Sequence, residues 1–152
     1  MNIVFLDYDG VVNTPIVNEY RTTMYYPSDN KVNNSEAVKF IHLLCETCEC
    51  GIVVISSWRC EDNYADCLYN SGLSKSIKII DFMPKELCKS EIINTYLQTH
   101  AVENYIIIED QYISGVPRSR FIKCNYDTGF DKERLKLSIK KFKGEDVYEK
   151  NR

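Results

Sequence analysis

Met1 to Asn13, MNIVFLDYDGVVN, is the stretch whose reading decides the fold. Ile3-Val-Phe-Leu6 is a short apolar run rich in β-branched and aromatic side chains, the signature of a buried strand. It runs straight into Asp7-Tyr8-Asp9-Gly10. Two acids two residues apart face the same side of an extended backbone, and Gly10 lets the chain turn sharply behind them. Asp and Gly are also common turn residues. The strand in front and Val11-Val12 behind argue against a simple surface turn. Acids delivered at a strand's carboxyl end lie where open α/β sheets bind ligands. Carboxylates this close repel unless a cation lies between them or one holds a proton. A hard divalent ion with oxygen ligands suits the pair, Mg2+ first.

The chain of 152 residues is long enough for one domain with a real core, so residues 1–152 read as a single unit. A formal charge of −3 gives no general pull towards nucleic acid or acidic membrane. No apolar run approaches the roughly 20 residues that span a bilayer. The N-terminus carries Asp7 and no basic leader, so the expectation is a cytoplasmic protein. Its seven cysteines are an odd number, scattered through helical and strand patterns, and read as reduced thiols. Cys45-x-x-Cys48-x-Cys50 has no partner pair at zinc-finger spacing.

Outward from the first strand, residues 13–34 read as a long flap or lip with Tyr20, Tyr25 and Tyr26. Loops of this length inside compact domains are usually functional or disordered. Ser35 to Cys50 is a helix capped by Asn33, Asn34 or Ser35, with Val38, Ile41, Leu44 and Cys45 on one face and Gly51 as its stop. His42 lies off that stripe, as a surface residue. Ile52 to Ile55 is a second buried strand, and Glu61 to Ser71 a second helix ending at Gly72. Ile77 to Phe82 is a third strand, Lys85 to Thr99 a helix, and Tyr105 to Ile108 a fourth strand. Ser119 to Cys124 follows as a fifth strand, then a turn, and a helix from Lys132 to Lys143 capped by Asp131. Residues 144–152 form a charged tail that can fray.

Polar residues recur where these strands end. Ser56-Ser57-Trp58-Arg59 follows the second strand, where a short hydroxyl before a helix start makes an anion site. Arg59 would suit a second anionic group. Lys89 opens a helical stripe, a position at which a cation is unfavourable without an anionic partner. Lys85 competes with it. Glu109-Asp110 closes the fourth strong strand with a second acidic pair. Neither His42 nor His100 lies in a nucleophile or metal motif, and no GxGxxG, Walker A or GxSxG string is present.

FLDYDGVVN resembles the first motif of the haloacid dehalogenase (HAD) superfamily, and Ser56, Lys89 and Glu109/Asp110 resemble the second, third and fourth in family order. The resemblance spans about residues 2 to 142. It is closest in length and layout to the small cap-less HAD domains, including those of RNA-repair proteins and magnesium-dependent protein phosphatases. It implies an α/β, three-layer Rossmann-like fold with a mostly parallel central sheet and no large cap. It implies Asp7 as nucleophile, Asp9 as general acid/base, and Ser56 and Lys89 on the phosphoryl group. Ser57 and Arg59 join Ser56 and Lys89 as substrate-binding residues. Asp7, Asp9 (through its carbonyl), Glu109 and Asp110 are the implied Mg2+ ligands. The family usually shows Asp where Glu109 stands, so either Glu109 or Asp110 is the direct ligand.

The expected activity is phosphomonoester hydrolysis through an aspartyl-phosphate. The gaps between motifs leave no room for a separate cap, and an open site favours a phosphate on a macromolecule. A phosphoprotein, phosphotyrosine in particular, is the favoured partner. A nucleic-acid end is the alternative, weakened by the acidic net charge. A HAD-like binding module without turnover is the competing class.

Overall fold

The structure, a computed structural model, describes residues 1–14, 34–57, 64–82, 84 and 86–145. The tyrosines at 20, 25 and 26, Trp58, Arg59, Lys85 and the tail from 146 lie outside the described residues.

The sheet has four strands: β1 (Asn2–Leu6), β2 (Cys50–Val54), β3 (Asn104–Glu109) and β4 (Phe121–Lys123), in the order β2-β1-β3-β4. Every pairing between them is parallel, with Leu6 beside Val54 on one side and Ile108 on the other. This is the expected α/β architecture, a parallel central sheet with helices on both faces. Among the described residues there are four α-helices: α1 (Ser35–Cys48), α2 (Tyr64–Asn70) and α3 (Lys89–Thr99) lie between strands, and α4 (Lys132–Phe142) follows β4.

Alternation along the strands builds two cores. Val4, Leu6, Ile52, Val54, Ile106 and Ile108 face α1, α2 and α4. Ile3, Phe5, Val53, Ile55 and Ile107 face α3, where Ile92, Ile93 and Tyr96 meet them. A sheet covered on both faces needs apolar residues at successive positions, which is why these strands read as unbroken apolar runs. Each such buried side chain stabilises the fold by about 1.5–3 kcal/mol.

The chain leaves β1 towards β2 and later returns to the opposite side of β1 as β3. The strand order therefore reverses at β1, and the crevice at its carboxyl end is where such sheets bind ligands.

Several local expectations shift. Helix α1 ends two residues early, because Glu49 takes the left-handed conformation (φ 55°) and its N–H reaches the Cys45 carbonyl. Gly51 is already in β2, where a Cβ would come 3.0 Å from Ile80 Cδ1. Asn34 caps α1, accepting from the N–H groups of Glu36 and Ala37. Ile77 to Phe82 forms one bridge rather than a strand. Ile52 donates to the Lys78 carbonyl (2.9 Å) and accepts from Ile80 (2.8 Å), and a tight turn from Phe82 back to the Ile80 carbonyl ends the pairing. The third helix starts at Lys89, because Leu87 turns back onto the Pro84 carbonyl and Glu91 accepts from the Cys88 N–H. The fifth predicted strand shortens to Phe121–Lys123, since Arg118–Arg120 is a 3-10 turn closed onto the Pro117 carbonyl. Among the described residues no helix is long and apolar enough to cross a membrane.

Candidate active site

The parallel ladder continues one residue past β1: the Asp7 N–H donates to the Ile108 carbonyl at 3.1 Å. Asp7 is thus fixed at the lip of the sheet, 3 % exposed. The chain then folds over a single acceptor. The Tyr8 carbonyl takes the N–H groups of Val11, Val12 and Asn13 at 3.1, 2.9 and 2.8 Å. The Tyr8 side chain turns into the core, where its hydroxyl donates to the Tyr64 carbonyl at 2.7 Å. Gly10 makes the wrap possible. Its φ is +78°, and a Cβ there would fall 2.8 Å from the Asp110 side chain. Only glycine lets this loop and Asp110 come so close.

Lys89, in the first turn of α3, reaches across to β1 and β3. Its Nζ is 3.3 Å from Asp7 Oδ1 and 2.6 Å from Glu109 Oε2. Glu109 ends β3 and is 2 % exposed. Its other oxygen, Oε1, accepts from the Asp110 N–H at 3.0 Å. Both Glu109 oxygens are therefore engaged by donors of the chain itself. Asp9 lies slightly further out, its Oδ1 held by the Asn13 side-chain amide at 2.8 Å.

Asp7, Glu109 and Asp110 offer carboxylate oxygens that all lie within 4.8 Å of one another. Burial pushes the Glu109 carboxyl up, helped by hydrogen bonding to Asp7 and Asp110 and by the Asp7 charge, while Lys89 pulls it down. Burial would lower the Lys89 ammonium, but the Asp7 charge and the Glu109 hydrogen bond more than offset it, and Lys89 is held in its charged form. Even with Glu109 drawn towards its neutral form, Asp7 and Asp110 against one ammonium leave a deficit of positive charge. Close-set carboxylate oxygens with no thiol or imidazole fit a hard divalent cation such as Mg2+. With Glu109 committed to Lys89 and its own backbone, Asp110 is the carboxylate better placed to join Asp7 as a direct ligand.

These groups share one depression of about 280 Å3, with Asp7, Asp9, Lys89, Glu109 and Asp110 in its wall. Ser56 and Ser57, just past the end of β2, complete the side opposite β3. Ser56 is buried and Ser57 exposed. Seven of the eight residues picked from sequence thus converge, and the eighth, Arg59, lies outside the described residues.

The model of the HAD domain in Swiss Army Knife RNA repair proteins matches residues 3–135. The chain belongs to this HAD family. Searches of curated proteins and of solved structures returned no match. HAD membership carries the general class, a phosphatase-type hydrolase. The acidic cluster agrees with the family's general use of Mg2+.

Sequence reasoning missed two features of this HAD site. Asn13 stood in the quoted motif, but its grip on Asp9 depends on the turn closing over Tyr8. Gln111, Tyr112 and Ile113 line the same depression. The only signal for them was position, directly after an acidic strand end, where residues commonly face a ligand crevice.

Proposed function

We propose that this protein is a Mg2+-dependent phosphomonoesterase that works through an aspartyl-phosphate on Asp7. The observation that carries the reading is the convergence of three carboxylates within 4.8 Å with Lys89 bridging two of them. A carboxylate nucleophile is already ionised at neutral pH and needs no histidine base. Lys89 fixes the rotation of the Asp7 carboxylate and offers its charge to the incoming phosphoryl oxygens. The Ser56 and Ser57 hydroxyls take further phosphoryl charge. Asp9 protonates the leaving oxygen and then deprotonates the water that opens the acyl phosphate. Asn13 holds one Asp9 oxygen and so fixes the rotation of the carboxyl that carries this proton. Mg2+, held by Asp7, Asp110 and the Asp9 carbonyl with Glu109 behind them, would supply the positive charge that two approaching anions lack.

For the substrate, the family description favours a nucleic-acid end. The phosphotyrosine expectation has gained no support, and the lip tyrosines at 20, 25 and 26 lie outside the described residues. A second reading, a binding module without turnover, draws on Glu109, whose two oxygens are both engaged within the chain.

The test is hydrolysis of an aryl phosphate, phosphorylated oligonucleotides and a phosphotyrosine peptide, with Mg2+ or with EDTA. Magnesium-dependent release of phosphate that disappears in Asp7→Asn is the expected result. No turnover of any phosphomonoester, or full activity in Asp7→Asn, overturns the proposal.

A further inference from the structure

Beside the acidic depression lies a second one of about 460 Å3, and Asp110, Gln111 and Tyr112 wall both. Its far side is Lys123, Asn125 and Tyr126. Parallel pairing sets Lys123 opposite Glu109, and the Cys124 N–H extends the ladder to the Glu109 carbonyl at 2.9 Å. The second depression is therefore built on the end of β3, which it shares with the first, and on the end of β4.

Its chemistry differs. Tyr112 and Tyr126 are 41 % and 46 % exposed, and both face water within this one patch. The Arg118 guanidinium lies 4.1 Å from the Tyr112 ring centroid and Lys123 Nζ 5.9 Å from it. Arg118 thus covers the Tyr112 ring and holds a second cation at the rim. Tyr126 is carried on a fixed turn. The Gly129 N–H donates to the Asn125 carbonyl at 2.7 Å, and the Phe130 N–H to the Val11 carbonyl at 2.8 Å. A Cβ on Gly129 would fall 2.4 Å from that Val11 oxygen, so the turn is clamped to the loop that carries Asp9.

The acidic centre thus shares a wall with a patch that offers exposed aromatic rings and cations, the groups that meet a base and a backbone phosphate. A phosphopeptide has no obligatory second ring or second anion beside its phosphate. We propose that this depression seats the nucleotide next to the scissile phosphate, with Tyr126 stacking on its base and Lys123 meeting the adjoining backbone phosphate. The inference rests on the phosphomonoesterase reading and names the substrate class for that site.

Binding is measured in Asp7→Asn with Mg2+, so that turnover does not enter. The probes are single-stranded oligonucleotides phosphorylated at the 5′ or the 3′ end, the same strand without phosphate, and a phosphotyrosine peptide. Tyr126→Ala should weaken the better phosphorylated oligonucleotide about tenfold, the usual loss for one stacked base. Tyr126→Trp should restore it. Lys123→Gln should reduce the slope of log affinity against log salt by about 0.7, one single-strand phosphate contact. Peptide affinity should not move in any of them. Unchanged oligonucleotide affinity in both Tyr126→Ala and Lys123→Gln overturns the inference, as does an equal loss for the peptide or equal binding with and without the terminal phosphate. Failure of the parent phosphatase reading is seen separately, as absent hydrolysis by the unsubstituted protein.

Discussion

The centre of the site and its β4 rim are built from adjacent strand ends, yet they have opposite characters. At the centre, Asp7 and Glu109 are almost wholly buried and tied to one ammonium. At the rim, Tyr112 and Tyr126 are exposed, with Arg118 and Lys123 beside the Tyr112 ring. On the proposed reading, the centre serves any phosphomonoester, whatever it is attached to. On the same reading, the rim tells one attachment from another. Burial makes the centre's electrostatics strong, because charges there are poorly screened. Exposure makes the rim's contacts weak singly and selective in combination.

The contrast breaks most sharply at the nucleophile. Asp7→Asn should lower kcat on every phosphate ester by at least about a thousandfold, since no other carboxylate occupies its position. Circular dichroism should show the fold unchanged. If only oligonucleotide turnover fell, the centre would not be substrate-blind. Lys89→Ala comes next, with an expected loss of about a hundredfold in kcat/KM. It also leaves two buried carboxylates without their cation, which lowers stability. Mg2+ should therefore raise Tm more in Lys89→Ala than in the unsubstituted protein, read by thermal melts with and without the ion.

Gly10→Ala sharpens the comparison by moving one group only. The new Cβ would press on Asp110, and φ +78° is strained for alanine. Stability should fall by about 1–2 kcal/mol, and Mg2+ affinity by calorimetry should drop about tenfold. The smallest effect is expected at Asn13. Asn13→Ala frees one Asp9 oxygen from a hydrogen bond of the kind worth about 1 kcal/mol. It should reduce kcat several-fold on poor leaving groups and less on an aryl phosphate, whose departure needs little protonation.

The strands were legible because a sheet covered on both faces demands uninterrupted β-branched runs, as in Ile52-Val-Val-Ile55 and Tyr105-Ile-Ile-Ile108. The candidate site was legible for a related reason: Asp7, Ser56 and Glu109 each follow such a run directly. Errors gathered where local pattern competes with tertiary contact. Ile77 to Phe82 has the apolar content of a strand, but turns at both ends leave it one bridge at the β2 edge. Gly51 looked like a helix stop, yet Glu49 absorbed the left-handed turn and Gly51 made room for Ile80.

By itself the sequence determined the apolar runs, the polar residue closing each one, and so the set of groups a phosphate could meet. A run of side chains carries its own burial preference, so no neighbour is needed to read it. Tertiary structure alone decided that Lys89 grips Glu109 rather than water, that Asn13 holds Asp9, and that Tyr126 shares a depression with Asp110. Those contacts join residues from separate strands and turns, and their distances exist only once parallel pairing has brought the strand ends into register.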